Sequence, residues 1–352
     1  MASRRSRRTA RLRTGIAIGL LGLVSLCAGI AGAWLTYTDI ARTRREIMSP
    51  QALADGHGRW VRAADADIYL REWGDPKRPT LLLTHGTGAW SGTWFALPDA
   101  LQAAGWHVVA IDLPPFGLSQ TQDAARTDYS RAAQARRILG AIDALGTNGA
   151  LDAPVTLIGH SFGAGPALEA AMQGGTRIRQ LVLVDPALGL GADGSPPHCT
   201  PGDSANPLLR SRGVRTALVA ATATWPGLTV TMLKQFVHRK EVVTDTLVVP
   251  YQAPFARLGF SASLGDWAIA FADASCEGVG SLDPQKLRAW AASGPAVSLI
   301  WGEQDSITPI AQAKALQTWM PSATLVTIPN VGHIPHIESP GAFADVLIRQ
   351  LR

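Results

Sequence analysis

From about residue 59 onward, short apolar runs alternate with longer amphipathic stretches. The runs TLLL, VTLI, LVLV and VSLI are continuously apolar. Such runs suit strands covered on both faces, as in a parallel sheet. The pattern predicts strands at 67–73, 80–84, 107–111, 155–158, 180–184, 297–301 and 324–328. Between them, helices are predicted at 94–104, 130–145, 162–173, 310–320 and 340–351. This alternation predicts an α/β fold, a mostly parallel central sheet flanked by helices.

The rhythm breaks at 187–293. That stretch opens with a Pro/Gly-rich loop and continues through helix-like segments at 208–224, 228–236 and 245–274. A helical insertion that leaves a sheet and rejoins it predicts a cap over the carboxyl edge, where open α/β sheets hold small molecules. The core is then 58–186 and 294–352, and the cap 187–293.

The amino terminus follows another pattern. Ile16 to Ala33 is eighteen residues without a charge, followed by Trp34 and Tyr37. At helical rise this covers roughly 27 Å, close to the thickness of a hydrocarbon core. Six arginines precede the stretch and three follow it. The bias predicts an amino terminus in the cytoplasm and a globular part across the membrane. The division is an Arg-rich segment 1–15, a transmembrane signal-anchor 16–37 and a linker 38–57. A cleaved signal peptide ending at Ala31-Gly32-Ala33 is the competing reading, but the apolar run exceeds the usual 7–15-residue core of such signals. The expected location is a bacterial-type inner membrane, with the large domain on the periplasmic side.

Composition sharpens this picture. Residues 1–45 hold nine Arg and one acid, +8, whereas the whole chain is +5; the remainder is therefore −3. A mildly acidic globular part excludes a nucleic-acid binder. With 47% hydrophobic and 17% charged residues, the chain is not disordered. Besides Cys27 in the apolar run, the cysteines are Cys199 and Cys276. In an oxidising compartment these two are expected to form a disulfide.

Gly159-His160-Ser161-Phe162-Gly163 fits G-x-S-x-G, after a predicted strand and before a predicted helix. The glycines permit a sharp turn that projects Ser161 from the sheet. A serine hydroxyl is a weak nucleophile and needs a base oriented by an acid, in the chain order Ser, Asp, His. Asp305 and His333 each follow a predicted strand in that order. Asp185 also follows a strand and is a rival for the acid. His336, three residues after His333, lacks the further ligands a zinc site needs.

The segments LLLTHGTGAWSGTW, AIDLPPFGLS, LIGHSFGAG, LVLVDPA, LIWGEQDSITP and IPNVGHIPHIESP occur in the order found in α/β-hydrolase-fold proteins of the capped, serine-nucleophile branch. The chain resembles that family over 58–352 apart from the cap. The resemblance implies Ser161 as nucleophile, His333 as base and Asp305 as orienting acid. It implies an oxyanion hole from the backbone N–H groups of Phe162 and Thr87, with Gly88 as the alternative to Thr87. Trp90, Trp94 and Phe116 are candidates for a substrate pocket. The expected activity is a membrane-anchored serine hydrolase, acting on a carboxylic ester with small-molecule or lipid-like groups. Neither metal nor organic cofactor is implied, and no protein partner is read from the sequence. The same fold also hosts amide, lactone and carbon–carbon hydrolysis, perhydrolysis, and binding proteins without catalysis.

Overall fold

The computed structural model describes residues 2–147, 154–197, 207–272 and 279–351. Among them, nine strands form one sheet: β1 Gly58–Ala63, β2 Ala66–Trp73, β3 Thr80–Thr84, β4 His107–Ile111, β5 Gln120–Thr121, β6 Val155–His160, β7 Ile178–Val184, β8 Ala296–Gly302 and β9 Thr324–Ile328. The order is β1-β2-β4-β3-β6-β7-β8-β9, with β5 paired to β2. From β4 to β9 along this path all neighbours are parallel, while β1 and β2 are antiparallel. The chain passes from β3 outward to β4, then returns across it to β6. The strand order therefore reverses beside β3, which places a crevice at the carboxyl ends of β3 and β6.

Among the described residues, the helices of seven residues or more are α1 Ala2–Arg45, α2 Leu97–Ala103, α3 Arg131–Thr147, α4 Ala164–Gly174, α5 Arg212–Ala221, α6 Thr229–Phe236, α7 Asp245–Gln252, α8 Phe260–Ala272, α9 Pro284–Ala291, α10 Ile310–Trp319 and α11 Pro340–Gln350. Every residue of β3, β4 and β6 is buried, which is why their sequences are continuously apolar. Alternate side chains serve opposite faces. Leu82, Val109 and Leu157 pack with Ile138, Leu168 and Leu316 of α3, α4 and α10. Leu81, Leu83 and Ile158 pack with Leu101 and Phe343 of α2 and α11. β1 escapes sequence reading because it is an edge strand, GRWVRA, only partly buried and carrying two arginines.

The helical insertion lies between β7 and β8. Its stretch from 245 is not continuous. Pro254 supplies no amide hydrogen and Gly259 turns at φ +72°, so α7 ends before α8 begins. Both crossings into the insertion are fastened to the core. Arg131 of α3 donates to the carbonyl of Leu188 at 3.1 Å and to Ser281 Oγ at 3.3 Å. Glu169 of α4 accepts from the amides of Ser281 and Gly280 at 2.8 and 3.3 Å.

The segment 38–57 differs from the linker expected there. α1 continues unbroken through Arg45 and packs on α5. The hydropathy falls after Tyr37, but helix formation does not depend on hydropathy. Residues 38–45 contain no Gly or Pro, and three arginines in the last turn complement the helix dipole. Beyond the helix the chain stays docked. Arg45 donates to the Phe255 carbonyl at 3.2 Å. The buried Glu46 accepts from the amide and hydroxyl of Ser261. Met48 exchanges backbone hydrogen bonds with Ala256 and Leu258. The part of α1 from Leu20 to Arg45 is long and apolar enough to cross a membrane.

Candidate active site

β6 ends at His160, and Ser161 follows at φ +51°, opening a single 3-10 turn that leads into α4. A left-handed non-glycine residue costs on the order of 1–3 kcal/mol and persists where the surroundings impose it. Here two glycines do so. A Cβ on Gly159 would lie 2.6 Å from Ala164 Cα, and one on Gly163 would lie 2.5 Å from the His85 carbonyl. No other residue type permits so close an approach of backbone to backbone. Gly163→Ala should therefore lower stability by about 2–3 kcal/mol, the cost of overpacking a rigid site. Urea unfolding of the variant beside the parent measures it; an unchanged midpoint would contradict this account of the turn.

The structure brings Ser161, His333 and Asp305 into one hydrogen-bonded row. His333 Nε2 lies 2.7 Å from Ser161 Oγ, and His333 Nδ1 lies 2.7 Å from Asp305 Oδ2. This arrangement assigns the proton of the neutral ring to Nδ1, leaving Nε2 to accept from the serine hydroxyl. All three side chains are buried. The backbone of His333 is held from two sides: its amide donates to the Phe236 carbonyl at 2.9 Å, and its carbonyl meets His160 Nε2 at 2.8 Å. Asp305 sits in the turn after β8. Its Oδ1 accepts from the amides of Ile307 and Thr308 at 2.7 and 2.9 Å, and its Oδ2 from the Thr308 hydroxyl at 2.5 Å. Burial pushes the Asp305 carboxyl up, but the His333 ring and these donors outweigh it and hold it below its ordinary value.

The rival acid is placed differently. Asp185 is fully buried after β7 at φ +42°, and its Oδ1 accepts from the Gly302 amide at 2.8 Å. It makes no hydrogen bond to His333. Burial and the neighbouring Asp305 carboxylate push its pKa well above the carboxylate range. Its carboxyl braces the end of β8. His336 is likewise buried, packed on Trp94 and His160, and burial pushes it down to about 3.

A cavity with about 980 Å³ of empty space, its open mouth included, reaches down to Ser161 and His333. Gly86, Thr87 and Gly88 border it from the loop after β3. This loop is close to the nucleophile: a Cβ on Gly86 would lie 3.1 Å from Ser161 Cβ. The far wall comes from the insertion, including Leu233, Phe236, Tyr251, Phe260, Leu264 and Trp267. Among the described residues, no Asp, Glu, Lys or Arg lines it.

Trp90, Trp94 and Phe116, expected near the pocket, do not line it. Trp94 is packed beneath His160 and His336. Phe116 lies behind Phe162 and Trp267 at 5.4 and 4.9 Å. Trp90 spends its N–H on the Pro250 carbonyl at 2.8 Å. Their nearness to the motifs in sequence places them in the shell that supports the site. The residues that form the wall escaped sequence reading, because which face of each insertion helix looks inward depends on how the helices fold back over the sheet. Cys199 and Cys276 lie outside the described residues.

This sheet, with its crevice beside β3 and a serine on the turn after β6, defines an α/β hydrolase. The chain matches the alpha/beta hydrolase family over residues 81–346 and belongs to it. Over 279 residues it is 30% identical to an uncharacterised protein of Mycobacterium tuberculosis, covering 77% of this chain and 74% of that one. It is 29% identical over 304 residues to a 2-hydroxymuconate semialdehyde hydrolase of Pseudomonas putida, covering 82% and 92%. Among solved structures, a membrane phospholipase A, described as a bacterial virulence factor, matches with a TM-score of 0.59 and 24% identity, over 94% of this chain and 99% of that one. A serine hydrolase involved in carbazole degradation matches at 0.63 and 20% identity, over 84% and 99%. At these identities the two structures share the fold.

Proposed function

We propose that the protein is a membrane-anchored serine hydrolase of carboxylic esters, with α1 as a single-span anchor and 187–293 as the cap. The observation that carries the reading is the uncharged, apolar cavity ending on the Ser161–His333–Asp305 row. Ser161 Oγ attacks the ester carbonyl while His333 Nε2 takes its proton. The oxyanion is held by the amides of Phe162 and Thr87, donors fixed by the turn and the loop after β3. His333 then protonates the departing alcohol, leaving an acyl group on Ser161. Water, deprotonated by His333, attacks that acyl group and releases the acid. Asp305 keeps the ring oriented and stabilises the imidazolium.

Carbon–carbon hydrolysis is the second reading, because the P. putida relative is a 2-hydroxymuconate semialdehyde hydrolase. A muconate carries a carboxylate, and burying that charge in this cavity would leave it without a cation. The cavity's lining therefore favours a neutral acyl group. Each methylene moved from water into the wall is worth about 0.8 kcal/mol, so kcat/KM for p-nitrophenyl esters should rise about three- to fourfold per methylene from acetate to octanoate. Steady-state kinetics across that series is the test. A flat or falling series, or faster turnover of a ring-cleavage dienoate, would overturn the ester reading.

A further inference from the structure

The segment joining α5 to α6 passes through Trp225. Its ring stands edge-on to Trp34 at 5.1 Å and to Tyr37 at 5.9 Å. Trp34 and Tyr37 directly follow the uncharged stretch of α1, at the depth where such rings settle between hydrocarbon and headgroups. Trp225 shares that depth.

The same segment builds the cavity. Ala223 lies two residues before Trp225 and lines it; Thr229 and Met232 line it just beyond. Gly227 is exposed, and Met232 is partly so. The docking does not depend on ring contacts alone. Arg45 reaches Thr224 Oγ1 at 3.4 Å, Thr224 Oγ1 lies 2.6 Å from Ser261 Oγ, and Ser261 is tied to the buried Glu46. Swinging α1 away from the insertion would break this network of buried hydrogen bonds.

We infer that the turn between α5 and α6 rests in the interfacial layer of the bilayer that α1 spans, so that the cavity opens onto that layer. The substrate is then an acyl amphiphile resident in the membrane. Its chain slides along the apolar wall while its polar head stays outside, since the cavity offers the head no charged partner. This inference rests on the proposed roles of α1 as anchor and Ser161 as nucleophile.

The test uses the full chain reconstituted in phosphatidylcholine vesicles. Two esters are compared: 4-methylumbelliferyl palmitate dissolved in the bilayer and p-nitrophenyl butyrate in the water. Trp225→Asp and Leu228→Asp put a charge on the turn without altering a residue that lines the cavity. Thermal melting checks that each variant is folded. Both variants should lose about tenfold or more of palmitate hydrolysis, the expected effect of placing Asp in an apolar interfacial layer, and keep butyrate hydrolysis within about twofold. Equal losses on both esters in folded protein, no loss on either, or a parent enzyme that turns over butyrate but not palmitate would overturn the inference and leave the hydrolase standing. A parent enzyme inactive on both esters would instead sink the proposed activity itself.

Discussion

Replacing Ser161 by alanine is expected to lower ester-hydrolysis kcat by about 10⁵- to 10⁶-fold, because nucleophile and base act as one unit. Ser161 Oγ lies 2.7 Å from His333 Nε2 on a turn that Gly159 and Gly163 keep in place. Removing Oγ leaves the oxyanion donors and the cavity, which alone supply only a residual rate. The fold should hardly notice. Alanine is no worse than serine at φ +51°, and Ser161 Oγ has no described partner besides the histidine. The melting temperature is therefore expected to match the parent's while turnover disappears. Lost activity accompanied by unfolding would not support this assignment, and retained activity would contradict it.

The second large effect falls on the acid. Asp305→Asn should lower kcat by about 10⁴-fold, since an amide facing His333 Nδ1 favours the wrong ring tautomer. Oδ1 can go on accepting from Ile307 and Thr308, so the turn after β8 persists. Asp185→Asn makes the informative contrast. Burial and the Asp305 carboxylate push the Asp185 pKa up, toward the neutral form, and an asparagine oxygen can still accept from the Gly302 amide. Its kcat should fall by less than about tenfold, because the bond to the Gly302 amide is kept and His333 bonds Asp305 instead. The opposite ranking of the two variants, read from single-turnover rates, would transfer the acid's role to Asp185.

The comparison of these two aspartates shows how far the sequence reaches. Both follow a strand, and chain order alone leaves both open. Only the fold separates them, by turning Asp305 toward His333 and Asp185 into the brace under Gly302. The seven predicted strands are present in the sheet, and for β3, β4, β6, β7 and β8 burial on both faces leaves a continuous apolar run. β1 is not legible, being a half-exposed edge whose arginines break the alternation. The aromatics beside the motifs show a different failure. Trp94 and Phe116 are close to the site in space as well as sequence, but they face its supporting shell and not the cavity. The cavity wall is tertiary information, made when α5 to α8 fold back over the sheet. The docking of α1 is of the same kind. Nothing in residues 38–48 announces that Glu46 will be buried against Ser261, more than 200 residues away in the chain.

The measurement that bears most directly on the central claim is covalent labelling by a fluorophosphonate, followed by peptide mapping of the full-length protein. The phosphorus reagent is attacked as an ester carbonyl would be, and needs an activated hydroxyl beside an oxyanion site. The account predicts a single adduct on Ser161, formed in the parent and absent from His333→Ala. Ester turnover without an adduct on Ser161, or an adduct on another serine whose loss abolishes turnover, would contradict it.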